Sequence, residues 1–484
     1  MVQTTILDKI EKESINRLNI PRNLINYTFS LPLRLSHRQV DDIRSLLELW
    51  VGLDNLECIA GFHSVVDTLF GILKNTFMRD SAPSGKAIAE KISSELSQDV
   101  ELLFRQLALI LRDPETYKKL LACRGDLAQQ LLDILQDLLD LFPESAARPS
   151  VSKALLRLSR ASDLHPVCFT LTNLQTVGEY QVAGGTFGDI WKGLVRDQVV
   201  SVKIVRLFND IDVKLVMQDF GREAVIWRQL SHPNVLPFFG LYYLDQRLCL
   251  VSPWMPSGNI VEFLKTAPAD TDRPSLMLDV ALGLEYLHRN SVVHGDLKGP
   301  NVLVTPSHRA CLADFGLSSI VDAMTVRLTH STASVQGGTT RYLAPELLST
   351  DARSHFGSDV YAFACTCYEI LTGKLPFFET PREGSLIRKV LAGQRPSQPE
   401  TILPNDSLWL LLQDCWEENP ANRPDVTRII ERLLGPGIGA QERQLSADWN
   451  DTFCAKFRRS MQDFTLTPSV PTIEQIIFGD GFCP

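Results

Sequence analysis

Residues 292–301 read Val292-Val293-His294-Gly295-Asp296-Leu297-Lys298-Gly299-Pro300-Asn301, and the short apolar run Val302-Leu303-Val304 follows. Asp314 stands thirteen residues beyond Asn301, in Ala313-Asp314-Phe315-Gly316. Three hard oxygen groups thus arrive in a fixed order between apolar strands. One carboxylate can take a hydroxyl proton, and an amide oxygen with a second carboxylate can hold a small divalent cation. Metal-assisted phosphoryl transfer needs that set.

Toward the N-terminus lies Val200-Ser201-Val202-Lys203. Lys is rarely buried unless paired, so its place in an apolar strand asks for phosphates and a carboxylate nearby. Glu223, in Phe220-Gly221-Arg222-Glu223-Ala224-Val225-Ile226-Trp227, is the natural partner. Either residue alone would read as a solvated charge. Ala183-Gly184-Gly185-Thr186-Phe187-Gly188 precedes them as a turn between two strands. Glycine lets backbone N–H groups approach phosphate oxygens that a Cβ would obstruct. The strand–turn–strand setting argues against a dinucleotide fingerprint, which joins a strand to a helix. By itself such a turn is as often an empty hairpin. Toward the C-terminus come Gly338-Thr339-Thr340-Arg341-Tyr342-Leu343-Ala344-Pro345-Glu346, then Ser358-Asp359-Val360-Tyr361-Ala362-Phe363, then Cys415-Trp416 and Asn422-Arg423-Pro424.

In this order and spacing the motifs of residues ~174–433 resemble a eukaryotic-type protein kinase domain. The match is nearest the tyrosine-kinase-like branch of Ser/Thr kinases and is similar to kinases of mushroom-forming fungi. The segment around Cys123-Arg124-Gly125-Asp126 also resembles what precedes the kinase in those proteins.

The resemblance implies an α+β bilobal fold, with a small β-rich lobe and a large helical one, that uses ATP and Mg2+. Gly185 and Gly188 match the second and third glycines of the phosphate loop, with Ala183 where the first is usual. Val182, Gly184, Thr186, Phe187, Ile190, Ser201 and Leu303 are implied around the nucleotide. Lys203 would hold the α- and β-phosphates and pair with Glu223. Asp296 would take the substrate proton, while Asn301 and Asp314 would bind magnesium. Ser252 falls at the gatekeeper position, and Pro253, Trp254 and Met255 form the adenine-binding hinge. Pro253 has no N–H, so contacts come from its C=O and from the Met255 backbone. Trp227, Phe238, His294 and Phe315 would stack as an apolar spine, and Arg423 would pair with Glu346. Lys298, with Thr339 placed to bond it and Asp296, would follow the Ser/Thr pattern.

One departure matters. Where most kinases carry His-Arg-Asp, this chain reads His294-Gly295-Asp296. The absent Arg normally receives a phosphorylated activation loop, so phospho-switching is expected to matter little.

Composition agrees with an ordinary globular chain. Lys+Arg 48 against Asp+Glu 57 leaves a formal charge of −9, which disfavours nucleic acid and anionic membranes as partners. The ten cysteines form no C-x-x-C pair, which argues against a zinc ribbon. No apolar run reaches the ~18 residues of a membrane span, and the charged start lacks a signal-peptide core. A cytoplasmic or nuclear setting is the expectation.

Before the kinase-like region, three- and four-residue apolar steps run through 38–51, 62–77, 86–111 and 115–142. They predict a bundle of four or five amphipathic helices over 1–165, a regulatory or interaction module. The kinase-like domain is expected over 170–436 and a tail over 437–484. That tail would carry a helix around 447–462, then an extended or mobile end containing Pro468 and Pro471. The expected function is transfer of phosphate from ATP to Ser/Thr hydroxyls of protein substrates in intracellular signalling, with a regulatory partner at the N-terminal helices. The alternative is a catalytically weak kinase-fold scaffold signalling through its N-terminal bundle.

Overall fold

The computed structural model describes residues 21–31, 43, 45, 53–77, 85–172, 174–177, 181–185, 188–196, 198–205, 224–244, 247–315, 339–349, 353–400, 403, 406–441, 448–449, 457 and 466–479. The chain separates into two compact units. One is Met1–Phe169 with Ala455–Pro484, and the other is Thr170–Cys454.

The first unit is helical. Among the described residues its helices are α1 (Arg22–Ser30), α2 (Asn55–Ala60), α3 (Phe62–Phe77), α4 (Gly85–Ile110), α5 (Pro114–Ala122), α6 (Gly125–Leu141) and α7 (Arg148–Ser162). The expected stripes bury one face of each: Val65, Val66, Leu69 and Leu73 on α3, and Leu131, Leu135 and Leu138 on α6. Two expectations need correction. The stripe 115–142 is not one helix. Cys123 and Arg124 are extended, and Gly125 takes φ +58°, a left-handed turn that glycine adopts freely. The seven described helices α1–α7 also exceed the four or five expected, and the last of them buries Val151, Ala154, Leu155 and Leu158. The first unit holds Asp99 of α4 against the start of α1, where its carboxylate accepts from Asn23 N (3.0 Å) and Leu24 N (2.9 Å).

The second unit begins with a strand-rich lobe. Its strands are β1 (Gln175–Val177), β2 (Ala183–Gly185), β3 (Gly188–Val195), β4 (Gln198–Val205), β5 (Gly240–Leu244) and β6 (Arg247–Pro253). The antiparallel sheet runs β1-β3-β4-β6-β5, with β2 also on β3. Register sets Ile190 opposite Lys203, Lys203 opposite Leu250, and Ser201 opposite Ser252.

The helical lobe follows. It contains α8 (Ile260–Thr266), α9 (Arg273–Arg289), the hairpin β7 (Val302–Val304) with β8 (Ala310–Leu312), α10 (Pro345–Ser349), α11 (Phe356–Thr372), α12 (Glu383–Leu391), α13 (Ser407–Cys415) and α14 (Val426–Leu434). Helix α11 is buried from Ser358 through Ile370, polar residues included, and forms the lobe's core. Cys365, Cys367 and Cys415 lie there as buried free thiols whose titration burial pushes upward.

The last described stretch is helical, not extended: α15 (Val470–Phe478) starts from Ser469, whose side chain accepts from Thr472 N. Pro471 sits in its first turn, where a missing N–H costs nothing. Ile473 and Ile477 are fully buried, and the Phe478 ring lies 5.0 Å from that of Phe77. The helix expected at 447–462 lies almost wholly outside the described residues. No described helix is long and apolar enough to cross a membrane.

Candidate active site

The loop before β7 is built around Asp296, which is 5 % exposed. Its Oδ2 lies 2.8 Å from Lys298 Nζ and accepts from Asn301 Nδ2 at 2.9 Å. Asn301 Nδ2 also donates to the Asp296 carbonyl at 2.8 Å. Lys298 Nζ donates to Thr339 Oγ1 at 3.0 Å, which joins the loop to the segment that leads into α10. The amide N–H bonds of Asn301 are spent on Asp296, so its oxygen is the atom left to meet a cation.

A buried acid that sequence reasoning quoted without giving it a role suspends this loop. Asp359 of α11 accepts from His294 N (2.8 Å) and Gly295 N (2.9 Å) and also contacts His288 Nε2 at 2.9 Å. The signal was present: an acid inside the apolar run Ser358–Phe363 is rarely buried unless paired. Gly295 has φ +77°, a conformation strained for any residue with a Cβ. Glycine at this position therefore relieves backbone strain while removing a cation.

Lys203 of β4 reaches the same centre from the strand-rich lobe. Its Nζ lies 2.6 Å from Asp314 Oδ2. Asp314 itself has φ +60°, a strained backbone of the kind that persists at functional sites. Glu223, the expected partner of Lys203, lies outside the described residues.

Behind these groups four rings make contact in sequence. Trp227 meets Phe238 (5.5 Å, edge-on) and Phe315 (6.3 Å), and Phe315 meets His294 (6.4 Å). These are the four residues expected to form an apolar spine. His294 is fully buried, and burial pulls its imidazole below the ordinary range, which favours a neutral ring.

The expected nucleotide wall is assembled in part. Val182 is exposed at the start of β2, and its N–H donates to Ile190 O at 2.8 Å. Ala183, Gly184 and Gly185 pair with Ile190, Asp189 and Gly188 across the hairpin. Thr186 and Phe187 lie outside the described residues. Ser252 and Pro253 end β6, and Met255 beyond them is buried. Leu303 of β7 packs against the buried cluster that contains Met255.

The donor set suits magnesium. Among the described residues no three His, Cys, Asp or Glu converge on a metal cage. Magnesium is usually held by one or two carboxylates plus substrate phosphates, and Asp314 with Asn301 fits that habit.

Two arginines brace the surroundings. Arg423 makes a two-pronged bond to Glu346, with Nη1–Oε1 2.7 Å and Nη2–Oε2 2.8 Å. Burial pushes the Glu346 carboxyl up, but the Arg423 bonds outweigh it and the net shift is downward. Arg341 is committed to backbone: it donates to the carbonyls of Pro376 (2.8 Å), Phe377 (2.7 Å) and Thr380 (3.0 Å).

Comparison with known proteins follows the same region. A family model described as protein tyrosine and serine/threonine kinase matches residues 177–433. The serine/threonine-protein kinase STY46 of Arabidopsis thaliana is 33% identical over 261 residues, which cover 52% of this chain and 43% of that protein. The dual specificity protein kinase shkC of Dictyostelium discoideum is 32% identical, over 53% of this chain and 50% of its own length. The serine/threonine/tyrosine-protein kinase HT1 of Arabidopsis thaliana is 30% identical, over 52% and 64%. The chain thus spans less than half the length of STY46 and about half that of shkC.

Proposed function

The chain belongs to the protein tyrosine and serine/threonine kinase family, and from that premise we propose that it transfers the γ-phosphoryl group of ATP to Ser or Thr hydroxyls of protein substrates. One observation carries the reading: Asp296 Oδ2 is held between Lys298 Nζ (2.8 Å) and Asn301 Nδ2 (2.9 Å), and the same ammonium bonds Thr339.

Asp296 is the proton acceptor for the attacking hydroxyl. Its two hydrogen-bonded neighbours fix the carboxylate orientation, which is what positioned proton transfer requires. Lys298 supplies positive charge where the transferring phosphoryl group becomes most negative. Its bond to Thr339 orders the segment before α10 beside it, and this Lys–Thr arrangement supports Ser/Thr over Tyr as acceptor. Lys203 orients the α- and β-phosphates of the nucleotide, and the Met255 backbone with the Pro253 carbonyl reads adenine. Asn301 and Asp314 hold magnesium, which when bound neutralises charge on the phosphates. Glu223 belongs to the proposal as the partner that the sequence expects for Lys203. Residues 1–165 act as the regulatory or interaction part, and the branch assignment to tyrosine-kinase-like Ser/Thr kinases belongs to the same proposal.

The test is ATP turnover on a generic Ser/Thr peptide with magnesium, comparing the wild type with Asp314→Asn. Phosphopeptide formed by the wild type and lost in the variant supports the reading. Equal, background-level turnover in both leaves only a scaffold.

A further inference from the structure

Beyond α14 the chain stays bound to the helical lobe. Ala440 N donates to Leu433 O (3.0 Å) and Gln441 N to Ser275 Oγ (3.1 Å). At residues 448–449 it reaches the β7–β8 hairpin. Asp448 accepts from Ser307 N (3.2 Å) and Ser307 Oγ (2.6 Å). Trp449 is 5 % exposed, and its Nε1 donates to His232 O at 2.9 Å. The indole shares a buried cluster with Met255 and Cys311, and Leu236 and Leu303 pack against that cluster.

We propose that Trp449 is a positioning residue for the nucleotide: it fixes, from behind, the hinge backbone at Met255 and the β7 residue Leu303. The inference rests on the kinase reading, because it concerns the two places where adenine would be held. Adenine is recognised there by backbone N–H and C=O groups, and such groups must be held to within roughly 0.5 Å to be useful. Met255 cannot fix its own backbone, since its side chain is long and unbranched and adapts to what surrounds it. What surrounds it is Trp449, a rigid ring with a large buried area and a polar tip that already has its partner.

The contacts also link the parts that must move together. His232 bridges Val235, Val235 bridges Leu312 of β8, and Leu303 pairs with Cys311. Val304 N donates to Gly258 O at 2.9 Å, so β7 is bonded directly to the segment that follows the hinge. Trp449 meets this frame through His232 O and through the cluster with Met255 and Cys311. Loosening it should weaken nucleotide binding and leave the phosphoryl-transfer groups in place.

The experiment uses the full chain and four proteins: wild type, Trp449→Ala, Trp449→Phe and Asp448→Ala. KM for ATP, KM for peptide and kcat are measured for each, with Kd for a non-hydrolysable ATP analogue. Trp449→Ala is expected to raise KM and Kd for nucleotide about fivefold or more, with kcat and peptide KM within about twofold. Trp449→Phe, which keeps a ring against Met255, should recover most of that loss. Asp448→Ala, which removes the acceptor of the two Ser307 bonds beside Trp449, should raise nucleotide Kd at least twofold. Unchanged nucleotide Kd in Trp449→Ala overturns the proposal, as does a fall in kcat alone, the mark of a smaller folded fraction. Should Trp449→Ala not fold, Asp448→Ala decides by the same criterion. A wild type without turnover would sink the kinase reading instead, and analogue binding would still judge Trp449.

Discussion

Lys298 Nζ stands 2.8 Å from Asp296 Oδ2 and 3.0 Å from Thr339 Oγ1, so one ammonium joins a buried carboxylate to a hydroxyl 41 residues beyond the lysine itself. On the proposed reading the pair acts on the transition state more than on bound nucleotide. Asp296→Asn is expected to lower kcat by about 10²–10⁴-fold, the usual worth of a positioned base, with nucleotide Kd changed less than about threefold. Rapid-quench turnover with a parallel binding titration checks this. A variant turning over at the wild-type rate removes Asp296 from its role.

Lys203 and Asp314 are 2.6 Å apart, and on the proposed reading they serve the same phosphates. Lys203→Met and Asp314→Asn should each lower kcat/KM for ATP by about a hundredfold or more. The double variant should lose little beyond the worse single change, because residues that act as a unit are strongly non-additive. Strictly multiplicative losses would show that the two groups act separately.

Activity is expected to survive phosphatase treatment. Gly295 offers no guanidinium to a phosphorylated loop, and Arg341 is spent on three carbonyls. The end of that loop is instead tied down without phosphate, by Arg341 and by the Thr340–Glu383 hydrogen bond. Initial rates before and after treatment, at low ATP, should agree within about twofold. A tenfold drop restored by one loop phosphate would reveal another cation in the role, since a charge-assisted bond of ~1.5–3 kcal/mol is enough to order a segment.

Ile477 of α15 is fully buried within the first unit. Ile477→Ala should destabilise that unit by about 2–5 kcal/mol, the ordinary cost of a core truncation. A thermal melt should then show the loss in the transition that ATP analogue does not move. If instead the nucleotide-sensitive transition falls by the same amount, the two units do not melt as separate bodies.

Asp99 supplies a pH signature. Burial lifts its carboxyl to about 6, against the opposing pull of the Leu24 and Asn23 N–H groups. The folded state therefore holds this proton more tightly than the unfolded chain. Its contribution to stability is fully present below the unfolded value of ~3.9 and is lost as pH rises through about 6. The difference amounts to about 2–3 kcal/mol between pH 4 and 7.5. Urea unfolding of the wild type minus that of Asp99→Asn should trace this fall. Parallel curves for the two proteins would rule it out.

The segments of the candidate site could be picked out because they are local: His294 to Asn301 and Ala313 to Phe315 sit beside short strands, while the role of each residue comes from the resemblance to kinases. Asp359 was quoted but not understood, because what it does depends on two N–H groups 64 and 65 residues away. The break at Cys123–Gly125 hid for a different reason: the apolar stripe keeps its phase across it while the backbone does not. Helix α15 and Trp449 were missed because short elements carry little periodicity of their own and are fixed by distant partners, Phe77 in one case and Met255 in the other.

Helix α15 and helices α1–α7 belong to one unit, although the whole of the second unit separates them along the chain. A ribosome therefore releases the closing piece of the helical unit last. Helix α15 packs on α3 and α4, so the helical unit can close only after the residues of the second unit have been made. Closing that unit requires a contact of very high sequence separation, the slow kind in folding. The helical unit is thus the later of the two to have all its residues, because its two segments, at the two ends of the chain, enclose the whole of the second unit.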